Sequence, residues 1–287
     1  MSKTTSFQID SQANNHNYKT AEFTSEYHIL SLSGGKDSTA LAFFMKENMP
    51  EIFEKTELVF CDTEKEIPET YDYLNKIEIF LNKKVIKLTP EVSFDQCIAT
   101  YNHLPSIAQR WCTTKLKTDV FKKYVNNLLK ENNAIINMYV GIRADEAVRT
   151  KSSRHNQKEI IAKYPFVEYG LVKKDIEDIL EKSGIGYSDY YRWRKRSGCY
   201  FCFFQSKHDW INLYENHPKL YFEAMKYEID AGTTDRKTRF GWNTEMALKD
   251  MIKPENMQKI KDDYNKLQEK RALKECKNKY ELLLDLF

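Results

Sequence analysis

The 287-residue chain is short of structure-breaking residues, with nine glycines and seven prolines. That excludes collagen-like and low-complexity architectures and makes any glycine pair stand out. No apolar run approaches the length needed to cross a bilayer. Residues 1–24 are rich in Ser, Thr, Asn and Gln and lack the apolar core of a secretory signal. The expectation is a cytoplasmic protein with a loose arm over 1–24 and no membrane partner. A net charge of +3 names no partner class. There is no internal repeat, and the G-x-x-x-x-G-K-[ST] spacing of a Walker A loop is missing. Hydrophobic residues, at 41%, exceed what a disordered chain carries and suffice for a substantial core. Six cysteines without a secretory signal argue for thiols or for metal or cluster ligation, and against disulfides.

The chain is organised around His28 to Ala42, where the apolar run of Ile29, Leu30 and Leu32 breaks into Ser33-Gly34-Gly35-Lys36-Asp37-Ser38 and then into Leu41, Phe44 and Met45 at helical spacing. This pattern predicts strand, phosphate loop and helix. Two glycines allow positive φ and close backbone approach, and the first turn of the helix offers unpaired N–H groups to an anion. Lys36 adds a point charge, and Ser33 and Ser38 add hydroxyl donors. A glycine hairpin turn is the alternative, but it leaves unexplained why Lys-Asp-Ser leads directly into a helix.

Further strands are expected at 57–61, ending in Asp62-Thr63, at 85–88 and at 135–140. Helices are expected from Pro68, around 116–130 and over 173–182, with one further element from Ile161 to Tyr169. From Lys207 helical spacing dominates, broken at His217-Pro218 and between Gly232 and Gly241. Strands alternating with helices predict an α/β fold, a parallel twisted sheet flanked by helices, with the ligand site at the carboxyl ends of the strands. The last 40 residues or so read as an amphipathic appendage. From Arg110 to Arg154 ten Lys/Arg face four Asp/Glu, a patch that suits polyanions, although solvated helix faces produce similar runs.

Four blocks in order, Ser33 to Ser38, Phe60-Cys61-Asp62-Thr63 with Pro68-Glu69-Thr70, Arg110-Trp111-Cys112-Thr113, and Gly141-Ile142-Arg143 with Glu146 and Arg149, resemble the phosphoadenosine phosphosulfate reductase family of PP-loop ATP pyrophosphatases. The Cys199-Tyr200-Phe201-Cys202 block extends the similarity toward members that insert sulfur into nucleic acid, as in DNA phosphorothioation. The resemblance implies an adenine nucleotide alpha hydrolase-like PP-loop domain over 25–205 and a C-terminal helical region over 206–287. One departure stands out. The reductases proper end in Glu-Cys-Gly-(Ile or Leu)-His, whereas Glu275-Cys276 is followed here by Lys277-Asn278-Lys279.

The implied chemistry is cleavage of ATP to AMP and pyrophosphate. Lys36, Asp37 and Arg143 would be catalytic. Ser33, Gly34, Gly35, Ser38, Asp62, Thr63, Arg110, Gly141, Glu146 and Arg149 would complete the site for ATP and Mg2+. Asp37 has three readings: loop orientation, metal contact, or an ordinary dipole-complementing carboxylate. Arginine forks suit phosphate or sulfate oxygens, and Glu146 is placed to hold such an arginine. Cys199 and Cys202, in C-x-x-C spacing, with Cys112 as third ligand and Cys97, His208 or a non-protein group as fourth, fit a [4Fe-4S] cluster or Zn2+. A redox pair or buried thiols are the alternatives. Arg192-Trp193-Arg194-Lys195-Arg196 combines charge and aromatic surface, either for a phosphate backbone and a stacked base or as a solvated helix face. The favoured activity is acceptor adenylation coupled to sulfur transfer, with nucleic acid, DNA ahead of RNA, as acceptor and a cysteine desulfurase or other protein as sulfur donor. The rivals are an adenylyl or phosphoadenylyl sulfate reductase and a nucleotide-binding regulatory subunit of a defence system. Oligomeric state stays open.

Overall fold

The computed structural model describes residues 25–152, 158–228, 241–243 and 245–284, with side chains at 131–132, 152 and 275–284 left out. The expected arm over 1–24, the end of the basic run at 153–157 and the 232–240 break lie outside them. Five parallel strands, β1 Ser25–Ser31, β2 Thr56–Cys61, β3 Val85–Leu88, β4 Ala134–Tyr139 and β5 Ile160–Lys163, form one sheet in the order β3-β2-β1-β4-β5. The chain winds outward from β1 through β2 to β3, then returns to the other side of β1 for β4 and β5. The reversal makes a crevice at the carboxyl end of β1, where the phosphate loop lies.

Helices α1 Lys36–Asn48 and α3 Pro68–Leu81 cover one face with α8 Lys173–Lys182. Leu41, Phe44, Leu74, Ile77, Ile176 and Leu180 are buried there together. Helix α2 Pro50–Lys55 joins α1 to β2. On the other face Ile29, Val59 and Ile136 meet Val125 of α6 Asp119–Asn132. Helix α4 Phe94–Tyr101 follows β3, and its Ser93 N-cap and Gln96 form a capping box. Helix α5 Trp111–Thr113 runs through a π-helical segment, Thr114–Thr118, into α6. The element expected over 161–169 is two: β5, then α7 Pro165–Glu168, parted at Tyr164 because the residue before a proline is driven out of helical geometry.

A second core lies beside the sheet domain. Phe94, Trp111, Tyr190, Phe201, Trp210, Tyr221, Trp242 and Ile260 are buried in it. These residues come from α4, α5, the 189–192 turn, the cysteine segment, the 241–243 stretch and helices α9 Lys207–Asn216, α10 Pro218–Lys226 and α12 Pro254–Leu284, and Leu248 and Met251 of α11 Leu248–Met251 are buried with them. Residues on both sides of position 205 therefore share one core. Among the described residues no helix is long and apolar enough to cross a membrane.

Candidate nucleotide site and three-cysteine cavity

Gly34 carries φ +67°, which favours glycine, and its carbonyl accepts from the buried Tyr190 hydroxyl at 2.8 Å. Ser33 N–H donates to Ser38 Oγ at 3.1 Å, the two hydroxyls lie 3.0 Å apart, and Ser38 Oγ donates to Gly35 O at 3.2 Å. This closes the loop over the start of α1. A methyl on Gly35 would sit 2.7 Å from Ser197 Oγ, and one on Gly141 would sit 2.9 Å from Asp37 O. Two separate segments are thus pressed against the loop: the stretch before Cys199 and the turn after β4. Tyr191 OH accepts from Lys36 N–H at 3.1 Å. The Lys36 ammonium lies over the rings of Tyr187 and Tyr191, 4.4 and 4.9 Å from their centroids, and 3.8 Å from Glu177.

Arg143 does not present an open fork. Its Nη1 meets Asp37 at 2.9 Å, its Nε meets Asp145 at 3.1 Å and its Nη2 meets Glu146 at 2.8 Å. Arg149 meets the other oxygen of Glu146 at 2.5 Å. Of the readings for Asp37, loop orientation is the one this geometry displays: its carboxylate ties α1 to the turn after β4, and Glu146 holds Arg143.

Asp62 accepts from Glu64 N–H at 2.8 Å and from Tyr71 OH at 2.7 Å, while burial and that carboxylate push the Tyr71 phenol up. Next to it, Thr63 Oγ1 donates to buried Glu66 at 3.0 Å and lies 3.1 Å from Cys199 Sγ. The Cys199 thiol also reaches Glu66 at 3.6 Å, as does Lys117 Nζ. Burial, reinforced by Glu66, pushes the Cys199 thiol up to about 12, with Lys117 opposing. Burial works against the Lys117 charge, but Cys199 and Glu66 lead the groups that hold its ammonium above the ordinary lysine value.

Cys112, Cys199 and Cys202 line one cavity of about 300 Å3, together with Thr63, Lys117 and Ser197. Cys97 is not with them: it lines a different cavity between β3 and α6, beside Lys115 and Asp119. His208 stacks on Tyr264 with centroids 3.6 Å apart and is not part of the cavity wall. Cys61 faces the backbone, 3.7 Å from Lys117 O. The backbone of Cys276 lies within α12.

The basic stretch before the cysteines corrects the expectation placed on it. Arg194 is 2% exposed; its Nη1 donates to Gly198 O at 2.9 Å and its Nη2 to Cys199 O at 2.7 Å, which leaves Nε without a partner. It braces the cysteine turn from inside and cannot contact a phosphate backbone. Trp193 is half-buried, packed against the second core, with its ring 5.4 Å from that of His217. Arg110 lies at the cysteine cavity, its guanidinium 5.3 Å from the Phe204 ring centroid.

The family model described as the phosphoadenosine phosphosulfate reductase domain matches residues 27–202. The chain belongs to that family. The matched region of this reductase-domain protein runs from β1 to Cys202, taking in the loop, Asp62, Arg143 and all three cavity cysteines. No curated protein matches it in sequence. Among solved structures it is similar to phosphoadenylyl-sulfate reductase from Candida auris in a phosphate complex, at 13% identity over 63% of this chain and 84% of that one, TM-score 0.46. It is also similar to the U34-tRNA thiolase NcsA from Methanococcus maripaludis with its [4Fe-4S] cluster, at 16% identity over 70% of each chain, TM-score 0.38. Neither likeness bears on the chemistry of this chain.

Three residues of the site escape sequence reading. Glu66 is a buried carboxylate at the cysteines, hidden among the acidic residues of Glu64-Lys65-Glu66. Tyr190 and Tyr191, which clamp the loop backbone, sit 155 residues or more from it in sequence.

Proposed function

We propose that this reductase-domain protein adenylates an acceptor and then transfers sulfur to it, with nucleic acid, DNA ahead of RNA, as acceptor. An acceptor oxygen attacks the α phosphorus of ATP, pyrophosphate leaves, and a sulfur nucleophile then displaces AMP from the activated position. The observation that carries this reading is Ser197: it touches the phosphate loop at Gly35 and lines the three-cysteine cavity, so both half-reactions share a wall.

The residues fit ATP at the loop. Gly34, with its positive φ, and Gly35, packed against Ser197, let the loop turn tightly onto the start of α1, whose first N–H groups suit an anion. Lys36 and the loop N–H groups neutralise charge developing on pyrophosphate. Mg2+ would come with the phosphates, since it retains waters and needs only one or two carboxylates.

Among the described residues no three Cys, His, Asp or Glu side chains converge on one metal ion, yet three thiols surround one cavity. A tetrahedral Zn2+ would take these three thiolates at about 2.3 Å and would need a fourth ligand beside them. An iron–sulfur cluster spreads its ligands around a larger body, and Cys112, Cys199 and Cys202 would hold it. Bound by three cysteines, it would leave one iron open to carry sulfur. A sulfate reductase reading lacks its C-terminal cysteine motif.

The test is AMP and pyrophosphate formation from ATP by full-length wild type and Lys36→Ala. Loss of leaving-group stabilisation should slow the variant by on the order of a hundredfold. Equal rates, or ADP and phosphate as products, would overturn the assignment.

A further inference from the structure

The mouth of the three-cysteine cavity carries a feature that the loop chemistry does not use. Phe204 is 37% exposed, a large apolar ring on the surface directly after the C-x-x-C turn. The guanidiniums of Arg110 and Arg196 each lie 5.3 Å from its centroid. Both arginines are exposed, and among the described residues neither has a carboxylate partner. Other cations nearby are engaged: Arg192 pairs with Asp189 and Lys115 with Asp119, Arg194 is spent on the carbonyls of Gly198 and Cys199, and Lys195 lies over the Tyr264 ring. Two like charges on one ring, with the Asp209 carboxylate of the same cavity bonded to Ser206 and not ion-paired to either, make a place that an anion with a flat face would complete.

We propose that Arg110, Phe204 and Arg196 form an acceptor lip that takes one unpaired nucleotide, its base stacked on the Phe204 ring and its flanking phosphates on the two guanidiniums. This rests on the nucleic-acid reading of the acceptor above. It moves nucleic-acid contact away from Trp193 and Arg194, which are packed inward. Base stacking on an aromatic with cationic flanks is how single strands are held without sequence readout. The recess behind the lip, about 300 Å3, is at the low end of ligand pockets. A paired duplex cannot bring a backbone atom into such a recess without extruding a nucleotide. The strand is therefore bound single-stranded, or with one residue swung out.

The experiment measures binding of labelled oligothymidylate, its duplex with oligoadenylate, an abasic strand of equal charge and an acidic peptide to the full-length protein across a salt series. The single strand should bind more tightly than the duplex. Phe204→Ala should weaken oligothymidylate about 5- to 150-fold, the equivalent of a lost base stack, and leave the abasic strand unchanged; Phe204→Trp should restore binding. Arg110→Ala with Arg196→Ala should flatten the salt slope for single strands by roughly 1.4. If wild type binds oligothymidylate but Phe204→Ala binds it equally well, or if the duplex binds as tightly as the strand, the lip is wrong while the nucleic-acid reading stands. If no oligonucleotide binds while ATP is still cleaved, or only the acidic peptide binds, the nucleic-acid reading falls and the lip with it.

Discussion

Arg194 allows a direct test of what holds the cysteine turn. It is a buried cation with no ion pair among the described residues, spending two donors on the carbonyls of Gly198 and Cys199. Hydrogen bonds from a charged donor contribute about 1.5–3 kcal/mol each, net of water. Against them stand the unpartnered Nε, which costs about 1–3 kcal/mol, and the desolvation of the charge itself. Arg194→Met keeps the stem volume, removes both bonds and leaves two half-buried carbonyls without this donor. We expect a net loss of roughly 2–4 kcal/mol, a large share of a typical domain's 5–15 kcal/mol. Urea unfolding should show a lower midpoint at unchanged slope, and native-state alkylation of Cys199 should accelerate as its turn loosens. Arg194→Lys, a point charge that satisfies one carbonyl at a time, should fall between. If Arg194→Met stays within about 0.5 kcal/mol of wild type and Cys199 reacts no faster, then desolvation outweighs the bonds and the brace is not one.

Two other outcomes are expected. Cys112→Ser, Cys199→Ser and Cys202→Ser should each lower iron content in anaerobically purified protein, whereas Cys97→Ser, on its separate cavity, should keep it; full iron in Cys199→Ser, or equal loss in Cys97→Ser, would break the grouping. Burial lowers the pKa of His28, with Glu26 opposing and Lys55 and Lys163 assisting, while its Nδ1 lies 2.9 Å from Tyr139 OH. The unfolded chain thus binds the proton more readily, so this contribution to stability is intact above about pH 6.5 and is lost as pH falls toward the folded value. Urea midpoints at pH 7.5 and 5.5 should differ less in His28→Gln than in wild type, and an equal or larger difference would refute the assignment.

The fold was legible where local signals and tertiary demands agreed. β3 over 85–88, α8 over 173–182, the start of α3 at Pro68 and the break at His217-Pro218 stand where pattern and proline placed them. Helix α2 was missed because six residues that bury only Phe53 show no period. Helix α4 had a readable start in Ser93-x-x-Gln96, but its eight residues are too few for a firm repeat. The phosphate loop and the pairing of Cys112 with the C-x-x-C turn follow from motifs. Arg194 was misread because a run of charges looks solvated, and nothing local reveals that two carbonyls draw one member inward. The Gly-x-Arg frame of Arg143 is visible in sequence, but its partner Asp37 is not, because it lies 106 residues away.

The π-helical turn at Thr114–Thr118 allows one continuous helix to serve two chambers. Lys115 faces the Cys97 cavity, whereas Leu116 and Lys117 line the cavity of Cys112, Cys199 and Cys202. A π turn is an α-helix carrying one residue more than its pitch accommodates. Shortening it by a single residue would turn the preceding side chains by about 100° relative to α6, carrying Cys112 off its wall while leaving the helix ends and the sheet in place. In a lineage, then, a one-codon change in length here would be a discrete switch between alternative chamber linings, and no series of point substitutions would reproduce it.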